Sequence, residues 1–82
     1  MDRFETGMLA RSKAGHDAGK VYVIIGVDSE YVYLADGRIK TIDCPKKKKK
    51  KHTQIILDKY DITNADDVKI KRILKEWSKE ES

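Results

Sequence analysis

Short stretches in which apolar and polar positions alternate with a period of two punctuate the first 60 residues, and a helical period takes over only near the end. Residues 1–6 are mixed and read as a frayed end. Residues 7–13 predict a first strand, and residues 14–19 a tight reversal in which Gly15 and Gly19 supply positive φ angles. Residues 20–27 carry the strongest strand signal: Val21, Val23, Ile25 and Val27 share one face, and Tyr22 and Ile24 imply that the other face is partly covered too. After a turn at 28–30, residues 31–35 form a third strand with Val32 and Leu34 on one side. Asp36-Gly37 predicts a type I′ hairpin turn. Residues 38–42 then return as a fourth strand, with Ile39 toward the core and Arg38 and Lys40 toward solvent. Pro45 is expected to end ladder pairing, and residues 52–57 to add a fifth, closing strand through Ile55 and Leu57. Near the end, Thr63 and Asp66 resemble a capping box. Ile70, Ile73, Leu74 and Trp77 follow on one face of a helix spanning 63–80. The pattern predicts a mainly β unit over 7–57 with one C-terminal helix packed against it.

Charge changes the picture at one place. Hydrophobic and charged residues each make up 39% of the 82-residue chain, enough apolar content for one small core. The net charge of +4 is not spread evenly: the balance is −1 over residues 1–43, +5 over 44–58 and zero over 59–82. The excess is the run of six lysines at 46–51. In a strand, alternation would send half of these ammonium groups into a core, where an unpaired charge costs many kcal/mol. The run is therefore expected to be an exposed, extended segment of roughly 19 Å. A local block of cations is the footprint of a protein that meets a polyanion. The longest apolar run, Val21–Val27, is far short of a bilayer span. One cysteine allows no internal disulfide, and no signal-peptide core opens the chain, so a cytoplasmic protein is expected.

The loop at 14–19 with Gly19 and Lys20, followed by an apolar strand, resembles the KOW motif. The likeness continues through residues 31–37, with their Asp36-Gly37 step, and through Pro45 and the lysines to Lys51-His52-Thr53-Gln54. Over about residues 7–54 the chain is similar to the small bacterial KOW-domain RNA-binding proteins, which themselves resemble the fourteenth large-subunit ribosomal protein of archaea and eukaryotes. That resemblance implies an SH3-like β-barrel of about five strands and a ribosome-associated, RNA-binding role in translation. It leaves the helix after residue 60 outside the motif.

The candidate RNA-binding residues are Arg11, Lys13, Gly15, His16, Gly19 and Lys20 around the loop, Arg38 and Lys40 on the expected fourth strand, and Lys46, Lys47, Lys48, Lys49, Lys50, Lys51 and His52. Lysines release condensed counterions from phosphates, and four to six contacts to a single strand give a log–log salt slope of about −3 to −4. Other readings of the run are a solvated loop or a nuclear-import signal. His52 could stack on a base or pack its ring on the barrel. Tyr22, Tyr31 and Tyr33 could offer stacking faces or be strand aromatics covered by the helix. Cys44 could be a reactive thiol or a small apolar residue at a strand end. Two histidines and one cysteine lack zinc spacing, so no metal or other cofactor is expected, and no catalytic constellation is present. The expected partner is structured RNA, with ribosomal RNA of the large subunit first and ribosomal proteins as possible contacts. No membrane is involved, and the free protein is expected to be monomeric. The alternative is a protein-interaction module of a transcription or translation complex, with the lysines as an auxiliary tether.

Overall fold

The computed structural model describes residues 3–81, and side chains through residue 79. Met1 and Asp2, read above as part of a frayed end, lie outside the described residues. Five antiparallel strands form one sheet: β1 (Met8–Ser12), β2 (Val21–Val27), β3 (Tyr31–Ala35), β4 (Lys46–Lys49) and β5 (Thr53–Lys59), in the order β4-β3-β2-β1-β5. A 3-10 turn at Lys50–His52 joins the last two strands, and the helix α1 covers Asp67–Glu81. No ladder joins β4 to β5, so the sheet is open rather than a closed barrel.

The sheet buries both faces, as the apolar residues on both sides of β2 require. Met8, Ala10, Tyr22, Ile24, Val32 and Leu34 make one cluster, with Phe4 packed on it, so the expected fraying does not extend to Phe4. Leu9, Val23 and Ala35 meet Ile70, Ile73 and Trp77 of α1 in the other. A register shift at Ile24/Gly26 puts an extra residue into β2 opposite Tyr33 and Leu34. Such a bulge increases local twist and helps the sheet curl around the first cluster.

Three expectations are corrected. Residues 38–42 form no strand, and Ile39 is 73% exposed instead of facing the core. The Asp36 carboxylate accepts hydrogen bonds from the backbone N–H groups of Arg38 and Lys40, at 2.8 and 3.0 Å, closing a loop instead of a two-residue hairpin. Only Gly37 of that pair has a positive φ, +79°. The helix begins at Asp67, not residue 63: Asp66 accepts the Lys69 N–H at 2.9 Å as the N-cap, and Thr63 is instead held by Asp61 at 2.9 Å. Third, Pro45 does not end pairing. It precedes a strand made entirely of lysine.

Candidate nucleic-acid interface

The lysines at 46–49 pair with β3 in the register Leu34↔Lys46, Tyr33↔Lys47, Val32↔Lys48 and Tyr31↔Lys49. Residues opposite one another share a face. Lys46 and Lys48 therefore point to the side of Val32 and Leu34, the inner cluster, and Lys47 and Lys49 to the outer side. The expected exposed, extended segment is thus an edge strand, and the alternation does send ammonium groups inward.

What makes that tolerable is Asp17. Its carboxylate lies 3.0 Å from the Lys46 ammonium and 3.4 Å from that of Lys48, and the side chain is only 11% exposed. Ser12 Oγ donates to it at 3.0 Å and the Tyr22 hydroxyl at 3.2 Å. Lys48 Nζ also donates to the Ala14 carbonyl at 2.9 Å. Burial acts to raise the Asp17 pKa, but the hydrogen bonds from Lys46 and Ser12 and the charges of Lys48 and Lys46 outweigh it, holding the carboxyl well below its ordinary 3.8. Burial, then the charge of Asp17 and the hydrogen bond to it, push the Tyr22 phenol up to about 12. Asp17 was not among the residues singled out from the sequence. An Asp in a glycine-rich loop has a ready explanation as a turn former, and its lysine partners are distant in the chain, Lys48 by 31 residues.

The same contacts dock loop 14–19 against β4. Lys13 N–H donates to the His52 carbonyl at 2.9 Å, joining the loop to the 3-10 turn. Gly15 and Gly19 have φ values of +87° and +92°. Lys13, Gly15, His16, Gly19 and Lys20 are therefore brought to the same end of the sheet as the lysine strand, and all are exposed.

The lysines divide by environment. Lys47 sits over the Tyr31 ring, 4.3 Å from its centroid, a cation–π contact that orients the side chain on the outer face. Lys50 donates to the Ser29 carbonyl at 3.1 Å and lies 5.8 Å from the centre of the Phe4 ring. Lys49 and Lys51 are exposed and have no acidic partner among the described residues. His52 is exposed in the turn, not packed on the sheet.

Other candidates lie elsewhere. Arg11 stands over the Trp77 ring at 5.9 Å, on the helix-covered face. Arg38 lies beside α1, and Lys40 is half-buried in the 36–40 loop. Tyr22 is buried on the face away from the helix. Tyr31 and Tyr33 are half-buried, Tyr33 packing on Gly26. Cys44 is exposed in the loop before β4. Among the described residues no group of three or more His, Cys, Asp or Glu is placed to hold a metal ion, and no helix is long and apolar enough to cross a membrane. No family model matches the chain, and none of the curated proteins does.

Proposed function

We propose that this chain is a non-catalytic module that binds structured RNA through its phosphate backbone, with ribosomal RNA of the large subunit as the leading partner on the resemblance to KOW proteins. The observation that carries the reading is the outer face of β4 and the turn after it. Lys47, Lys49 and Lys51 are exposed there on a hydrogen-bonded support. Alternate residues of a strand stand about 6.7 Å apart, so Lys47 and Lys49 form a row rather than a diffuse cloud. Loop 14–19 adds Lys13, His16 and Lys20 along the rim, where glycine lets a backbone approach closely. An SH3-like arrangement of the strands, in an open sheet, belongs to the same proposal. In its favour are the antiparallel strand order, the bulge in β2 and the short 3-10 turn between the last two strands.

Engagement of Lys46 and Lys48 by Asp17, which offsets one of their two charges and turns both side chains inward, reduces the contact count expected from the sequence. With Lys50 directed to the Ser29 carbonyl, Lys47, Lys49 and Lys51 remain to meet phosphates, against the four to six contacts expected. Replacing Lys47, Lys49 and Lys51 together by serine is expected to weaken binding to a structured ribosomal RNA fragment and to flatten the log–log salt slope by about 2 to 3. Filter binding at a series of salt concentrations measures both. An unchanged affinity and slope would remove RNA from the account.

A further inference from the structure

A second basic surface lies on the helix side, apart from the lysine strand. Val68, Lys71, Arg72 and Lys75 follow one another at helical spacing along α1, and with Leu74 and Arg38 they line an open groove between the helix and the 36–38 turn. Its walls are fixed. A Cβ on Gly37 would fall on the Asp67 carbonyl oxygen, and the Ile42 N–H donates to Asp67 Oδ1 at 2.9 Å, so turn and helix are held at close range. Val68 is 56% exposed on the floor beside the half-buried Leu74. None of Arg38, Lys71, Arg72 and Lys75 has an ion pair among the described residues. Two carboxylates also line the groove, Asp36 and Glu76, but Asp36 is already occupied by the Arg38 and Lys40 amides.

From this combination we infer that the groove docks an acidic amphipathic helix of a partner protein. Arg38, Lys71, Arg72 and Lys75 beside the apolar Val68 and Leu74 match a ligand that offers carboxylates and apolar side chains together. A phosphate backbone would use the cations and gain nothing from Val68 and Leu74. Val68 and Leu74 are separated by about 9 Å along the axis of α1 and by about a third of a turn around it, an interval that leucines about 10 Å apart on an obliquely crossing partner helix can reach. An extended strand, with its repeat of about 6.7 Å per residue pair, fits that interval less well. No residue of β4 or of loop 14–19 lines the groove, and the inference stands whether or not the RNA reading holds.

The test uses the full chain and a fluorescein-labelled synthetic helix of Glu, Ala and Leu, about 15 residues long, with leucines seven apart. Polyglutamate of equal length and a single-stranded RNA oligonucleotide serve as the other probes. Fluorescence anisotropy should show the amphipathic helix bound about 10-fold tighter than polyglutamate. Val68→Ser, at an exposed position that does not threaten folding, should remove most of that advantage. Lys71→Glu with Lys75→Glu should weaken the peptide by about 10-fold or more. The Lys47, Lys49 and Lys51 serine variant should bind the peptide as the wild type does. Equal binding of the two acidic probes would overturn the inference. So would a peptide lost with the β4 lysines, or an RNA oligonucleotide weakened by the Lys71 and Lys75 changes as strongly as the peptide.

Discussion

A carboxylate withdrawn from water must be matched, and at Asp17 the matching donors converge from Ser12, Tyr22, Lys46 and Lys48. Removing one member of a fully buried pair costs about 3–5 kcal/mol. Lys46 keeps 29% of its side chain in solvent, so Asp17→Asn is expected to cost about 2–3 kcal/mol in urea unfolding at neutral pH. The sign with pH follows from the depressed pKa. The stabilisation is complete above the ordinary carboxylate value of 3.8 and is lost as pH falls through the lower folded value. The gap between wild type and Asp17→Asn should therefore be constant from about pH 5 upward and shrink below about pH 4. A gap that widened on acidification would refute this account. The residue was illegible in advance because its role depends on where β4 lands, and local sequence says nothing of that.

At the scale of elements, the strands with strong apolar alternation formed where the pattern put them: β1, β2 and β3 match their expected spans to within a residue or two. Patterns resting on one polar pair were less dependable. Asp36-Gly37 carries a hairpin signal, yet Asp36 turns its side chain onto the Arg38 and Lys40 amides and the following residues never enter the sheet. The helix start moved for a similar reason, since Asp66 and Thr63 compete for the same capping role and Asp61 claims Thr63. Gly37 shows what the loop does instead. Its φ of +79° disfavours any Cβ, and the helix backbone fills the space one would occupy. Gly37→Ala should cost more than the roughly 1–2 kcal/mol of left-handed strain alone, because α1 must also shift. Hydrogen exchange would report the change as faster exchange of the Ile42 and Lys71 amides. In Gly19, by contrast, φ is +92° but nothing lies within 4 Å of the added carbon, so strain is the whole penalty.

For the whole molecule, the cost of burying an unpaired charge does not keep the lysines out of a strand, because the inward pair is met by a carboxylate. Two of the four lysines in β4 turn inward, and one acidic side chain from a distant loop receives both. A charge count by segment locates the positive block but not its internal compensation, so the effective charge presented outward is smaller than the sequence suggests. The two-faced core of β2 was legible, because both of its faces are apolar. The open sheet was not, since strand order gives no sign of whether the outer edges meet.

That β4 is an edge strand has a further consequence. Its free backbone donors and acceptors would template another copy of the chain, and natural edges are often guarded by lysine. Two copies approaching through β4 would bring Lys47 and Lys49 against their own images. Replacing both with valine removes that repulsion and raises strand propensity. Light scattering of the double variant should then reveal concentration-dependent dimers where the parent stays monomeric, so the same outward cations that form the basic row also keep two copies apart.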